Sequence, residues 1–294
     1  MRLTDEVRSS CAQIAADAKH VSIDLEALEG IEPAPPQALD GAFHYLDGDP
    51  GDVADYMLAL DAINFGSGWF PTLRKRLHEG KPVSGYFTIA WGLADHVRAQ
   101  GPPTGAWLRG VSTREIAAIL GQAPDNELMS LYAQALRELG RFLGSRRALD
   151  LLAAARGSAE RLAETLASGM AMFDDRGFYK RAQILANDLV LAGVAHFYDL
   201  DRLTIFADNL VPHVLRCDGV LLYDEQTAAH IDAGLRLPMG RAEREIRACA
   251  VHACELIAQR TGVQARTLDT WLWTRGQAPT YKARPRHRCR NVFY

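Results

Sequence analysis

The sequence predicts a mostly α-helical protein with at most a few short strands. Apolar residues recur at three- and four-residue steps in several long segments, which is the repeat of an amphipathic helix. Strand and helix signals do not alternate at the spacing of a βαβ unit, and no internal repeat occurs. Helix start and stop residues flank several of the periodic segments. Together these observations favour helices packed on helices.

The helical signal begins to be clear at Ser112–Glu115, which has the sequence of a capping box. In such a box a serine and a glutamate satisfy free N–H groups at the start of a helix. Gly262 is typical of a helix end, because glycine adopts the left-handed conformation there without strain. The periodic segments that we predict as helices are Asn126–Leu143, Ser158–Met170, Phe178–Ala192 and Arg241–Arg260.

Three shorter segments give a less regular signal. Pro212 divides the apolar run Leu203–Leu215, so we expect one helix to end near Leu210 and a new turn to begin at Pro212. Tyr86–Ala90 and Val220–Tyr223 are interpreted as strands or buried connectors, because periodicity does not separate the two in short apolar runs.

Three loops are distinctive. Asp47–Asp52 predicts a capped turn and not a calcium loop, because the spaced acids and closing glutamate of an EF-hand are absent. Gly66–Gly68 lacks the continuation of a phosphate-binding loop and predicts a tight bend between helices. The proline-rich stretch Glu32–Gln37 predicts a surface connector.

Composition excludes several classes of protein. The chain has 294 residues, 48 % of them hydrophobic, and 33 basic against 36 acidic residues give a net charge of −3. These values exclude a disordered chain and argue against a protein that coats nucleic acid. No apolar run reaches the roughly 18 residues of a membrane helix. Asp5 and Glu6 argue against a signal peptide, so we expect a cytoplasmic protein.

The cysteine pattern favours a reduced protein without a metal site. Five cysteines are scattered along the chain, and no CxxC pair occurs. Cys249 and Cys254 flank His252 on one predicted helix, but a metal there would need further ligands on the same face. We therefore interpret these cysteines as small buried residues.

Two acids in apolar surroundings are the candidate catalytic residues. The sequence lacks HExxH, GxSxG, phosphate-loop and dinucleotide signatures. Asp208 follows an aromatic residue in the helix predicted before Pro212, and Asp269 shares a helix face with Trp273. A carboxylate against an indole is desolvated and acts strongly on nearby charge. The alternative for each acid is an N-cap or a salt-bridge partner.

Two groups of charged residues complete the pattern. Lys180, Arg181 and Gln183 open the predicted helix Phe178–Ala192, where such residues usually form a solvated face or structural ion pairs. Tyr281–Arg290 is the one basic block, and we predict it to be an ordered strap. This strap either holds a phosphate or covers the acidic body of the protein.

Several segments in the same order resemble the queuosine salvage family, whose members are queuosine 5′-phosphate N-glycosylases. They span Ala62 to Tyr294 and are most similar from Phe178 onward. The segments are INFGSGWF, FYKRAQILANDL, DLDRLTIFADNLVPHVLR, GVLLY, EREIRACAVHACELI, LDTWLW and HRCRNVFY.

The resemblance implies a fold like that of the helical DNA glycosylases, as one unit with two lobes. It implies a single domain over residues 1–294, with an N-terminal lobe at 1–110 and a motif-dense part at 111–294. The implied reaction hydrolyses queuosine 5′-monophosphate to ribose 5-phosphate and queuine, a 7-deazaguanine base that is salvaged into tRNA. No cofactor, metal, DNA or membrane partner is expected, and the oligomeric state is left open.

The resemblance also assigns roles to residues. Asp269 of LDTWLW takes the role of nucleophile or transition-state stabiliser, and Phe206 and Asp208 match positions that hold the base. His44 of FHYLDGDP matches a base-contacting histidine. Some relatives carry a second acid five residues after the catalytic one, where this chain has Thr274.

Other substrate contacts follow from the expected chemistry. Phe206, Trp271 and Trp273 are candidates to stack on the base, and Thr270 is a neighbouring substrate contact. Lys180 and the part of the basic strap at Arg284–Arg290 are the candidates for the 5′-phosphate. The alternatives to this function are a DNA glycosylase and a protein that binds queuine or tRNA without cleavage. A DNA glycosylase would carry a glycine-rich helix–hairpin–helix loop and a basic surface, and neither is evident.

Overall fold

Helices form the framework of the protein in the computed structural model, which describes residues 2–35 and 38–294. The last two residues of the predicted connector Glu32–Gln37 lie outside the described residues. The helices of the first half are α1 (Leu3–Ala16), α2 (Leu25–Glu29), α3 (Pro50–Ala62), α4 (Gly85–Gln100), α5 (Gly105–Gly110), α6 (Thr113–Ile119) and α7 (Glu127–Leu143).

The second half continues in the same way, with short strands between helices. Its helices are α8 (Ala148–Ala155), α9 (Ala159–Gly169), α10 (Lys180–Leu191), α11 (Leu210–Cys217), α12 (Glu225–Asp232), α13 (Arg241–Thr261), α14 (Ala265–Arg275) and α15 (Pro279–Lys282). The strands in the described part of the chain form two antiparallel pairs. They are β1 (Val21–Ile23) with β4 (Leu221–Tyr223), and β2 (Leu77–His78) with β3 (Lys81–Pro82).

The mostly α-helical prediction is confirmed, and so are its clearest elements. The four periodic segments correspond to α7, α9, α10 and α13, and their apolar faces are buried. Ser112 and Glu115 form the predicted capping box at the start of α6. Gly262 ends α13 with a φ of 74°. Cys249 and Cys254 are fully buried on α13, as predicted.

The prediction for Leu203–Leu215 is wrong. Leu203–Asp208 has no regular structure, and α11 begins only at Leu210. Pro212 lies in the first turn of α11, where a missing N–H breaks no intrahelical hydrogen bond. The proline therefore marks a helix start and not an interruption.

The two short apolar runs have different outcomes. Tyr86–Ala90 is neither strand nor connector, because it forms the first turns of α4 behind the N-cap Ser84. Val220–Tyr223 does contain a strand, β4, which pairs with β1 near the N-terminus. Since α1 also packs on α13, both ends of the chain join one unit. The division into lobes 1–110 and 111–294 and the likeness to DNA glycosylases stay predictions.

Helix α3 lies at the centre of the fold. Asp49 caps it by accepting a hydrogen bond from Gly51 N–H at 2.8 Å, and Pro50 occupies its first turn. The predicted capped turn at Asp47–Asp52 is thereby confirmed. Almost every residue of α3 is buried, because α4, α7, α8 and α10 pack around it. A helix buried on all sides shows no amphipathic repeat.

A bend at Gly66–Gly68 and the basic segment Tyr281–Arg290, here called the C-terminal strap, close one side of the molecule. Gly66 has a φ of 126°, which favours glycine. A Cβ at Gly68 would overlap the carbonyl group of Cys289, so only glycine lets the strap approach this closely. The predicted tight bend is confirmed. None of the helices in the described part of the chain has the length and apolar character needed to cross a bilayer.

Candidate active site

A cavity of about 870 Å³ lies where these elements meet. Its walls come from residues 38–44 and 64–70, the first turn of α4, one face each of α10 and α14, the irregular segment before α11, and the C-terminal strap. Acidic, basic and amide groups project into it from several elements. The polar residues of the inner wall include His44, Asn64, Lys180, Asn187, Asp188, Asp208, Asp269 and Thr270.

Asp269 is held in place on the α14 wall of this cavity. It is only 5 % exposed, and its Oδ1 accepts a hydrogen bond from the backbone N–H of Phe206 at 2.8 Å. No hydrogen bond to its Oδ2 is formed within the described residues. Burial, with the negative charge of Asp208, raises the pKa of Asp269 to about 7. One carboxylate oxygen is thus fixed by the protein and the other is left for a ligand.

Asp208 combines a structural contact with a place on the cavity wall. Its Oδ1 accepts hydrogen bonds from the N–H groups of Leu210 at 2.7 Å and Val211 at 3.1 Å, at the start of α11. The N-cap residue of α11 is Asn209, so Asp208 lies one position before the N-cap although it satisfies N–H groups of the first turn. Asp208 also lines the cavity. The irregular backbone before α11 lets Phe206 contact Asp269 and Asp208 cap the helix in the same short segment.

Lys180 lies among carboxylates. It is 5 % exposed at the first position of α10, and its Nζ donates a hydrogen bond to the carbonyl oxygen of Asn64 at 3.1 Å. Burial lowers the pKa of Lys180, while the charges of Asp208, Asp61 and Asp269 oppose that shift. The ammonium group is thus a buried cation that offsets several negative charges.

The charged residues that open α10 do not form a solvated face. Lys180, Arg181 and Gln183 are all buried. Arg181 donates hydrogen bonds to the carbonyl oxygens of Ala62 at 2.5 Å and Val292 at 2.7 Å, so it joins α3 to the irregular segment that follows the strap. The prediction of a solvated face at the start of α10 was wrong, because elements distant in sequence bury this helix.

Two acids near the cavity escaped prediction from the sequence. Asp188 lies on the cavity face of α10, about two turns beyond Lys180 and next to Asn187. Asp61 is fully buried on α3 and accepts a hydrogen bond from Asn64 Nδ2 at 3.1 Å. The available signal was an Asn-Asp pair inside the apolar repeat of FYKRAQILANDL.

Aromatic side chains form a further part of the cavity lining. Trp273 packs edge-on against Tyr86 and Phe87, with ring centroids 5.6 Å and 5.5 Å apart. His44 Nε2 is 3.0 Å from the Tyr86 hydroxyl, and His44 Nδ1 is 2.8 Å from the carbonyl oxygen of Asp40. Burial lowers the pKa of His44, which favours its neutral form. This wall suits a flat heterocycle.

The C-terminal strap places cations at the cavity. Lys282 and Arg286 line it together with Lys75, and none of the three is ion-paired within the described residues. Burial and the charges of Lys75 and Arg286 lower the pKa of Lys282. Arg290, by contrast, is paired with Glu127 at 2.9 Å and does not line the cavity. Unpaired cations at a cavity favour an anionic ligand.

Comparison with known proteins identifies the family. A family model described as "Queuosine salvage protein" matches residues 43–294. The chain belongs to the queuosine salvage protein family. Similar proteins named queuosine 5′-phosphate N-glycosylase/hydrolase occur in Sphaerobacter thermophilus, at 31 % identity over 98 % of this chain and 97 % of the relative, and in Dictyostelium discoideum, at 29 % over 98 % of both. The Mus musculus protein of the same name is 26 % identical over 98 % of both chains.

The cavity of this family member brings together most of the residues predicted from the sequence. His44, Lys180, Phe206, Asp208, Asp269, Thr270 and Trp273 all line it. Trp271 does not, because its ring projects from α14 toward Arg275, whose guanidinium carbon is 4.7 Å from the ring centroid. The Thr270 hydroxyl donates a hydrogen bond to the backbone carbonyl oxygen of Arg266 at 3.2 Å. Their roles toward a substrate stay predictions.

The structure also shows the surroundings of Thr274 and the state of the cysteines. Thr274 lines the cavity, and its hydroxyl donates a hydrogen bond to the backbone carbonyl oxygen of Thr270 at 2.9 Å. The five cysteines are free thiols. Within the described residues, no three His, Cys, Asp or Glu side chains come together as a metal site would require.

Proposed function

We propose that this protein hydrolyses the N-glycosidic bond of queuosine 5′-phosphate and releases queuine, acting as a single domain over residues 1–294. Two lines support it: membership of the queuosine salvage family, and relatives over nearly the whole chain that are named for this activity. The observation that carries the proposal is Asp269, held at one oxygen by Phe206 N–H with the other oxygen free in the cavity.

The chemistry needs a fixed negative charge below the sugar. Cleavage of the bond between C1′ and the base builds positive charge on the ribose, as in other glycoside hydrolyses. Asp269 acts there as nucleophile or as electrostatic stabiliser, since a preorganised charge in a desolvated site stabilises a transition state strongly. The hydrogen bond from Phe206 keeps the carboxylate oriented.

The base fits the remaining polar and aromatic groups. Asp208 accepts hydrogen bonds from the N1–H or amino group of the 7-deazaguanine ring, because an ionised carboxylate is a hydrogen-bond acceptor. Phe206 and Trp273 offer aromatic faces, and stacking contributes about 1–3 kcal/mol per base. A neutral His44 contacts the base through its ring, because Asp40 and Tyr86 occupy both of its ring nitrogens.

Lys75, Lys282 and Arg286 are the proposed ligands of the 5′-phosphate. They line the cavity without carboxylate partners, so they offer positive charge that the protein itself does not neutralise. Lys180 is less suited to this role. Its Nζ is already bound to Asn64, and the surrounding Asp208, Asp61 and Asp269 would repel a phosphate.

The activity is tested by incubating the protein with queuosine 5′-monophosphate, queuosine, queuosine-containing tRNA and double-stranded DNA, and by measuring the free base. We expect release of queuine from the nucleotide. Base release from tRNA or DNA but not from the nucleotide would contradict the proposal. Tight queuine binding without release from any substrate would identify a binding protein instead.

The double variant Lys282→Ala/Arg286→Ala tests the phosphate ligands. We expect its KM for queuosine 5′-monophosphate to rise about 10- to 100-fold, because charge-assisted hydrogen bonds are lost. Activity on the dephosphorylated nucleoside should change little. Arg290→Ala is the matched control, because this strap arginine does not line the cavity. Equal losses on nucleotide and nucleoside would exclude a phosphate role.

A further inference from the structure

Asp188 and Asp61 form a second acidic pair beside the cavity, which the proposed function does not use. Asp188 is 5 % exposed on α10, on the face that also carries Lys180, Asn187 and Leu191 into the cavity. Asp61 is 0 % exposed on α3, which packs directly against α10. The cavity wall therefore contains one acid that a substrate can touch and one acid behind it.

Neither acid has both carboxyl oxygens satisfied within the described residues. Asp188 Oδ1 accepts only a long hydrogen bond of 3.4 Å from its neighbour Asn187, and no partner of Oδ2 lies among the described residues. Asp61 Oδ1 accepts a hydrogen bond from Asn64, but its buried Oδ2 lacks a hydrogen-bond partner within residues 2–35 and 38–294. Two buried carboxylates without an ion pair are too costly to ionise together, so one proton stays with the pair.

The charges around the pair decide which acid keeps this proton. Asp188 faces Asp61 and Tyr56 from α3, Tyr86 from α4, Lys180 on its own helix and Asp269 from α14. Burial raises the pKa of Asp188 well above the usual range of a carboxyl group, and the charge of Asp61 adds to this. Burial raises the pKa of Asp61 only to about 6, because Asn64, Lys180 and Arg181 favour its charged form.

We propose that Asp188, in its protonated form, is the general acid that donates a proton to the departing base, and that Asp61 is the positioning residue that keeps it protonated. This inference rests on the proposed N-glycosidase function. A 7-deazaguanine has carbon at ring position 7, so protonation there is not available to this leaving group. A neutral carboxyl group on the cavity wall supplies the proton to a ring nitrogen instead.

The hydrolysis of the N-glycosidic bond needs no reactant besides water. The bond from C1′ to the base breaks, and its electron pair goes to the base, which takes the proton of Asp188. With Asp269 as the stabiliser, water adds its oxygen to C1′ and gives one proton to the Asp269 carboxylate. The products are neutral queuine and ribose 5-phosphate. Proton exchange with solvent then returns Asp188 and Asp269 to their starting forms.

Asp188→Asn tests the acid directly. We expect its kcat on queuosine 5′-monophosphate to fall about 100-fold or more, because a carboxamide cannot donate this proton. On 4-nitrophenyl β-ribofuranoside 5-phosphate, whose leaving group departs as the stable nitrophenolate, the loss should be less than about tenfold. Asp174→Asn, a half-buried acid outside the cavity, is the matched control and should leave both rates unchanged.

Asp61→Asn tests the positioning residue through a pH profile. Wild-type kcat/KM should fall at alkaline pH as Asp188 loses its proton. Without the negative charge of Asp61, this limb should move to lower pH, and a merely structural residue would not move it. Circular dichroism of both variants establishes that they fold.

The outcomes separate this inference from the proposed function. A wild-type protein that releases no queuine contradicts the function itself. If the wild type is active, equal losses of Asp188→Asn on the two substrates, near-normal turnover of that variant, or an unmoved alkaline limb in Asp61→Asn would overturn the inference alone. If the wild type does not cleave the nitrophenyl compound, the alkaline limb of the pH profile of Asp61→Asn tests the inference without it.

Discussion

Asp269→Asn is expected to lose on the order of 10³- to 10⁴-fold in kcat on queuosine 5′-monophosphate, a size typical of an essential catalytic carboxylate. The variant keeps an oxygen that accepts the hydrogen bond from Phe206, so the local fold is retained. It loses the negative charge that stabilises the developing cation on the ribose. Affinity for queuine should change little, because the proposed base contacts lie on Phe206, Asp208 and Trp273.

The measurement is steady-state release of queuine, with queuine affinity determined by calorimetry on the same preparations. Asp201→Asn is the control, because Asp201 is an exposed acid that pairs with Arg266 of the same helix α14 at 2.7 Å. Near-normal turnover of Asp269→Asn would exclude Asp269 as nucleophile or stabiliser. Parallel loss of turnover and queuine affinity would assign it to base binding instead.

The raised pKa of Asp269 gives two further signatures of the same variant. Wild-type kcat/KM should rise as the pH passes through about 7, where Asp269 loses its proton. Between about pH 4 and 7 the folded protein holds a proton that the unfolded chain has already lost, so wild-type stability falls as the pH rises through this window. Asp269→Asn should remove a cost of up to about 4 kcal/mol at pH 8 and change little below pH 4. Thermal melting at both pH values checks this.

The sequence predicted the helices that have one solvent-exposed face and one buried face. Helices α7, α9 and α13 each bury one side, so their apolar repeat is visible in the residues themselves. Helix α3 is buried on nearly all sides, and no repeat marks it. Leu203–Asp208 has the composition of a helix, yet its backbone is irregular because tertiary contacts to Asp269 and α11 override local propensity.

The candidate site divides in the same way. Asp269 was found because an acid followed closely by two tryptophans in an apolar segment is unusual in sequence, and the family resemblance supported it. Asp188 and Asp61 were missed, because an acid on a helix normally indicates a solvated face. Their burial follows from α3 and α10 packing together, which is a contact between residues more than 100 positions apart. The position of Trp271 outside the cavity depends on the rotation of α14 and was likewise not predictable.

Lys180→Met is expected to lower kcat/KM at pH 7 by about 10²- to 10³-fold, on the nucleotide and the dephosphorylated nucleoside alike. Lys180 is a buried cation that interacts electrostatically with Asp208, Asp61 and Asp269. Its removal leaves the negative charge of these carboxylates uncompensated. The pKa of Asp269 must then rise further, because its charged form loses the attraction of Lys180. Activity should therefore recover in part toward pH 9, which a lost phosphate contact would not produce.

The pH–rate profile on both substrates distinguishes this role from the phosphate role that the sequence suggested for Lys180. Lys81→Met, at an exposed strand position, is the matched control for removal of a lysine charge. A loss confined to the phosphorylated substrate would assign Lys180 to the 5′-phosphate and leave Lys282 and Arg286 without that function. An equal loss with an acid limb shifted to higher pH would mean that this buried ammonium group keeps Asp269 ionised, and that substrate phosphate is recognised at the strap.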